Sequence, residues 1–209
     1  MRCDQPHRIS LLKFNHKMGA VSSPEFSRNK IHPHKFALWV GIASIMMMFG
    51  AFTSAYVVRR SAGNWLEFKL PDIFFFNTVV IILSSVTLHY AYRSFKKGNE
   101  KLFKALLLTT FVLGISFVIL QYKGWEALNT IGATFTINPS SSFIYVISGL
   151  HAAHVLGGVA ALLVALAHAF ILPFKPTVRR RQRLELVVQY WHFVDVLWVY
   201  LIMFFMVQS

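Results

Sequence analysis

Four stretches of this 209-residue chain contain no Asp, Glu, Lys or Arg: 36–58, 73–92, 105–122 and 143–172. A fifth, 186–208, is charged only at Asp195. Each is close to or longer than the ~20 apolar residues that a helix needs to cross the hydrocarbon layer of a bilayer. No water is available there to satisfy backbone N–H and C=O groups, so an isolated spanning segment must be helical. The expected fold class is therefore all-α, a polytopic transmembrane bundle of five helices. The span at 105–122 is the shortest, and 143–172 is long enough to tilt or to overshoot the bilayer. The composition agrees, since 56% of the residues are hydrophobic, more than a soluble domain usually carries.

The formal net charge is +13, with 21 Lys and Arg against 8 Asp and Glu. A nucleic-acid module would spread that charge over one folded face. Here it clusters between the apolar stretches, which argues against a nucleic-acid partner and for topogenic charge. Seven basic residues precede Phe36, five lie in 93–104 and five in 175–185, whereas 59–72 has three, 123–142 one and the C-terminus none. The positive-inside rule then places the N-terminus in the cytoplasm and the C-terminus outside. Residues 1–35 form a basic cytoplasmic tail, neither signal peptide nor anchor, and 36–209 the membrane domain. Turn chemistry punctuates the loops at Gly63-Asn64, Pro71, Lys97-Gly98-Asn99, Asn138-Pro139 and the pair Pro173 and Pro176. The lone cysteine, Cys3, excludes an intrachain disulfide and a cysteine-based metal site. No internal repeat of the secondary-transporter kind is visible.

Ionisable groups within a membrane are expensive and default to functional candidates. Here they are His89, His151, His154, His168, His192 and Asp195. On the fifth helix Glu185, Gln189, His192 and Asp195 recur at helical spacing, within about a 120° arc, and so form one polar stripe that must face protein. His192 and Asp195, at i and i+3, can share a hydrogen bond, and Trp191 and Trp198 lie on a common face. The stripe reads either as a proton relay or ligand site, or as a hydrogen-bonded seam to another helix or subunit. On the fourth helix His151 and His154 share a face, and Gly149, Gly157 and Gly158 thin it for a close neighbour. Two histidines alone do not make a metal site. A haem held by His89 and His168, or by His154, would make the chain a stand-alone b-type electron carrier. Met46, Met47 and Met48 read as apolar filler. Asn77, Thr78, Ser84, Ser85 and Thr87 suit close helix packing. Arg179, Arg180 and Arg181 read as attraction to anionic headgroups.

Four segments carry a resemblance to subunit III of the haem–copper cytochrome c oxidases. FNTVVIILSSVTLHYA at 76–91 resembles that family's Asn-Thr…Ser-Ser-x-Thr helix. LLLTTFVLGISFVILQYKGW at 106–125 resembles its helix ending in Gln-x-x-x-Trp. FIYVISGLHAAHVLGG at 143–158 matches its Gly-x-His-x-x-His-x-x-x-Gly segment. ELVVQYWHFVDVLWVYL at 185–201 matches its Tyr-Trp-His-Phe-Val-Asp-Val-x-Trp signature.

The resemblance implies a non-catalytic subunit of a proton-pumping terminal oxidase that reduces oxygen to water, in a bacterial cytoplasmic membrane. Such a subunit holds no haem or copper of its own. It packs on subunit I, with subunit II and a small subunit IV as further partners, and the complex can join a respiratory supercomplex. The family's helices form a cleft that holds phospholipid, and the subunit sustains proton uptake and protects against turnover inactivation. Five helices match short bacterial forms that lack the first two of seven. On this reading His151, His154, Glu185, Gln189, Trp191, His192, Asp195, Trp198 and Asn77 belong to a buried polar seam beside the lipid cleft or a subunit contact, binding the fourth and fifth helices. Two positions depart from the family: Ser44 stands where many relatives place a buried Glu, and Gly124 stands where the Gln-x-x-Glu-Trp pattern has its acid.

Overall fold

A computed structural model describes residues 33–63, 70–135, 138–174 and 177–208. They form five helices: α1 (Pro33–Ser61), α2 (Ile73–Lys96), α3 (Glu100–Thr130), α4 (Pro139–Ile171) and α5 (Val178–Gln208). All five are long and apolar enough to cross a membrane. Residues 1–32, most of the expected tail, lie outside the described residues.

The helices outrun the charge-free stretches. The shortest expected span, 105–122, sits inside a helix of 31 residues. Charge marks where hydrocarbon ends, not where a helix must stop. Glu100 and Lys104 pair at 2.6 Å across one turn, with the acid on the N-terminal side where the helix dipole favours it. At the other end the helix runs on through Lys123 and Glu126 to Thr130. Gly98, at φ 76°, reverses the chain after α2. The Asn99 side chain then accepts from Leu102 N and caps α3. Asn138 caps α4 in the same way, with Pro139 in the first turn.

α2, α3, α4 and α5 form a closed ring in which each helix packs on two neighbours, and α1 lies outside it against α4 and α5. The buried residues of α3 are Phe103, Leu107, Thr110, Gly114, Phe117, Gln121, Gly124 and Leu128. Those of α2 run Phe74, Asn77, Ile81, Ser84, Leu88, Ala91, with Ser94 and Phe95 closing the series. Steps of three and four alternate along both helices, the spacing of a left-handed knobs-into-holes seam.

Three links hold α1 parallel to α5. Lys35 meets Glu185 at 2.7 Å at one end. Thr53 and Tyr200 hydroxyls lie 3.1 Å apart midway. Arg60 donates to Gln208 at 2.6 Å at the other end. The rings of Phe95, Phe103 and Phe174 cluster where α2 ends, α3 begins and α4 leads into α5. Lys35, the 93–104 turn and the α4–α5 connection therefore share one end of the bundle, the end that concentrates the basic residues. At the opposite end the Tyr145 hydroxyl donates to Trp125 O at 3.0 Å and Asn129 Oδ1 at 2.9 Å, joining α3 to α4.

Candidate functional site: a polar interior and an open groove

Trp191 and Trp198, seven residues apart on α5, fill the inside of the ring. Both are fully buried. Trp191 Nε1 donates to Ser84 Oγ of α2 at 3.0 Å. Its ring lies so close to α3 and α4 that a Cβ on Gly114 would sit 2.8 Å from it, and one on Gly158 2.9 Å. Trp198 Nε1 donates to Thr78 Oγ1 of α2 at 3.1 Å. Its ring meets Phe117 of α3 edge-on at 5.1 Å and stacks on His151 of α4 at 4.9 Å. Two side chains of one helix thus touch all three others. The glycine of the fourth helix that makes room is Gly158, and the neighbour that uses it is an indole rather than a helix backbone or a lipid chain.

Several polar residues of α2 address partners on neighbouring helices. Asn77 Nδ2 donates to Gln121 Oε1 of α3 at 3.0 Å. Thr87 and Thr110 hydroxyls lie 2.9 Å apart. The Ser85 hydroxyl shares a short hydrogen bond with His192 Nδ1 of α5. Together with the bonds that Thr78 and Ser84 accept from Trp198 and Trp191, these stitch α2 to α3 and to α5. In a membrane such contacts are association contacts, because lipid offers no competing partner.

The stripe expected on α5 does not run as one seam to α4. Glu185 turns to Lys35 of α1. His192 turns to Ser85 of α2. Gln189 is half-buried and its side-chain oxygen meets no partner. Asp195 is 4% exposed. No hydrogen bond links it to His192; the polar group beside its carboxyl is the Ser85 hydroxyl, which also meets His192. The α4–α5 contact is instead aromatic, made by Trp191, Trp198 and the Tyr190 hydroxyl, which donates to His154 O at 3.0 Å.

His151 and His154 share Phe49 as an edge-on neighbour, but their polar atoms are used differently. His151 is fully buried with neither ring nitrogen bonded. His154 Nδ1 donates to its own helix at Leu150 O, 2.7 Å away. Among the described residues no three His, Cys, Asp or Glu converge as metal ligands. His89 and His168, the pair considered for a haem, line separate recesses. The ring beside His89 is that of His192, at 6.1 Å.

Recesses open on the surface among the described residues. One, about 620 Å³, runs between α2 and α5 and is lined by Ser85, His89, Arg93, His192 and Asp195 among apolar residues. The other, about 480 Å³, lies at the basic end, where an apolar floor including Phe103 and Leu184 is flanked by His168, Arg179, Arg180 and Arg183. Arg180 is partly engaged, donating to Pro173 O and His168 O.

Among the residues outside the expected site, Ser84 and Gln121 were legible as polar members of apolar helices. Gly114 had no such signal, because its role is set by a tryptophan 77 residues away in sequence.

A helical bundle that closes polar bonds inside and turns apolar residues outward is a polytopic membrane protein. Its family follows from comparison with known proteins: the model of cytochrome c oxidase subunit III matches residues 65–209. The chain belongs to that family. It is 27% identical to the cytochrome bo(3) ubiquinol oxidase subunit 3 of Buchnera aphidicola, over 78% of this chain and 88% of that one. It is 33% identical to a probable cytochrome c oxidase subunit 3 of Rickettsia felis, over 74% of this chain and 56% of the relative. It is 28% identical to the heme-copper oxidase subunit I+III of Aeropyrum pernix, over 86% of this chain and 23% of the relative.

The two departures from the family pattern now have positions. Ser44 is exposed on the outer side of α1. Gly124 is buried on α3, where a Cβ would come within 3.0 Å of the Phe74 ring. Phe74 thus occupies the space that an acidic side chain at 124 would need.

Proposed function

We propose that this chain is the non-catalytic third subunit of a proton-pumping terminal oxidase, which reduces oxygen to water in the aerobic respiratory chain. The observation that carries the proposal is the family match over 65–209, which spans α2 to α5. The haems and copper belong to partner subunits, and this chain packs against the haem–copper subunit I. The Aeropyrum relative, in which subunits I and III are one chain, supports that pairing. Subunit II, a small subunit IV and a respiratory supercomplex complete the proposed surroundings.

The chain lies in a bacterial cytoplasmic membrane, with its basic end and N-terminus inside and its C-terminus outside. The recess at the basic end suits a phospholipid, with acyl chain on the apolar floor and anionic headgroup beside Arg179 and Arg183. Around that lipid the subunit supports proton uptake and protects the oxidase during turnover. His151, His154, Glu185, Gln189, Trp191, His192, Asp195, Trp198 and Asn77 serve packing, lipid contact and subunit contact, and none is assigned a catalytic step.

The deciding experiment is to tag the chain in its native membrane, extract it gently and identify what accompanies it. Co-purification of a large haem- and copper-bearing subunit is expected. Oxidase stripped of this chain should start at a near-normal rate of oxygen consumption and then lose activity during turnover. A chain that emerges alone with a Soret band of its own would overturn the reading in favour of an electron carrier.

A further inference from the structure

We propose that the N-terminal half of α1 is a strap over the recess at the basic end: it closes on α4 when the recess is empty, and the Lys35–Glu185 ion pair and a bound anionic lipid hold it off. The inference rests on the lipid reading of that recess and adds to it a means of entry.

The recess continues the groove in which α1 lies. On α4, Phe143 meets Tyr56 and His154 meets Phe49. Helical steps carry that face of α4 on to Ala161, Ala165 and His168, all of which line the recess. On α5, Tyr190 faces α4 through its bond to His154 O. The same side of α5 continues through Val187 and Arg183 into the recess.

α1 follows this groove for half its length and then leaves it. Its buried residues, Phe49, Thr53 and Tyr56, lie in its C-terminal half. The same face continues through Ile45, Ile42 and Leu38, which are half-buried. The contacts of α1 on α5 turn around that helix in step. Arg60 meets Gln208 and Tyr56 meets Phe204; then Thr53 meets Tyr200, and finally Lys35 meets Glu185. At about 100° per residue this path runs away from the Tyr190 side of α5. α1 and α4 therefore part toward the basic end, and the recess opens where they part.

In a membrane, close packing sets helix neighbours. The emptied groove offers Leu38 and Ile42 closer packing than their present course gives them. One ion pair opposes the closure, about one-third exposed on both sides. Such a pair shifts an equilibrium by no more than about fivefold. An acyl chain on the recess floor opposes it as well, because it takes the same space. A lipid that binds the open form alone must shift the strap toward that form. Lys35 stands roughly 21 Å along the helix from Phe49, so a tilt of about 10° moves it by about 4 Å.

The test uses the complex purified through a tag on this chain and placed in lipid discs. Spin labels at the exposed positions Val40 and Ala160 report the gap between the N-terminal half of α1 and α4. Labels at Val57 and Val146 report the other half. In phosphatidylcholine discs the first pair is expected to show a short and a long distance. Glu185→Gln should raise the share of the short one about two- to fivefold, the range that one half-exposed ion pair supports. The swap of Lys35→Glu with Glu185→Lys should restore the parent distribution. Phosphatidylglycerol should make the long distance dominate, and inorganic phosphate should not. The second pair should stay constant throughout.

A first-pair distance that neither Glu185→Gln nor phosphatidylglycerol changes overturns the proposal. So does a second pair that moves with the first, because α1 then leaves as a whole. A charge swap that fails to restore the distribution, or a long distance brought about by inorganic phosphate alone, overturns it too. If phosphatidylglycerol survives detergent washing yet leaves the distances unchanged, the strap falls and the lipid reading stands. If no phosphatidylglycerol is retained, both fall.

Discussion

Trp191 and Trp198 depend on what is missing opposite them. The Trp191 ring occupies space that Cβ atoms on Gly114 and Gly158 would invade at 2.8 and 2.9 Å. Gly114→Leu or Gly158→Leu should therefore destabilise the bundle by roughly 1–3 kcal/mol, as overpacked cores do. A melting temperature lowered by on the order of 5 °C in detergent is the readout. Gly50→Ala, on the outer side of α1 with no atom within 4 Å of an added Cβ, should leave the melt nearly unchanged. His151 offers the opposite case. Its ring stacks on Trp198, yet its two nitrogens are buried and unbonded. Replacing it by an apolar side chain of similar size removes unmet polar atoms, which is close to neutral or stabilising. His151→Leu should melt at or above the parent temperature, whereas His151→Ala, which leaves a cavity, should cost about 2–4 kcal/mol. A large loss for His151→Leu would mean that the imidazole has a partner in the assembled complex.

Among the elements, α1 is the loosest. Three of its residues are buried, Phe49, Thr53 and Tyr56, against ten on α5. Its ion pair with α5, Lys35–Glu185, is about one-third exposed on both sides, and such pairs are worth at most about 1 kcal/mol. Tyr56, packed on Phe143, Phe204 and Phe205, carries more. Tyr56→Ala should open α1 from α5, lengthening a spin-label distance measured between Met47 and Met203, whereas Glu185→Gln should leave that distance unchanged. α2 and α3, in contrast, interlock by alternating three- and four-residue steps and two polar links, Asn77–Gln121 and Thr87–Thr110. They should be the last pair to separate on unfolding.

For the whole molecule, charge decides orientation. With Cys3 replaced by serine, single cysteines at Lys97 and Thr177 should react with an impermeant maleimide only after the cytoplasmic side is exposed. Cysteines at Ala62 and Ile131 should react in intact spheroplasts. The reverse pattern would break the proposed topology. The number of spans was legible because a charge inside hydrocarbon is so costly that its absence over about 20 residues leaves few other readings. The ends were less legible. Lys123 and Glu126 sit within α3, since a helix continues into the headgroup layer where charge is tolerated.

The candidate site shows where sequence reading stops. His151, His154, His192 and Asp195 stood out because polar atoms are rare in apolar helices. Their partners did not, because in a membrane the inward face is no more apolar than the outward one. On α3 the interior face carries Thr110, Gly114, Gln121 and Gly124, while Leu108, Val112, Ile115 and Ile119 face out. Hydropathy therefore reports depth in the bilayer but not direction around the helix. The sequence alone determined that this chain is a five-helix membrane protein, and its motifs pointed to the oxidase subunit III family. Only the tertiary structure decided that Glu185 turns to α1 and His192 to α2, and that Asp195 opens on a groove. Those directions depend on which helices become neighbours, and neighbours are chosen by close packing around Trp191 and Trp198 over long separations in sequence.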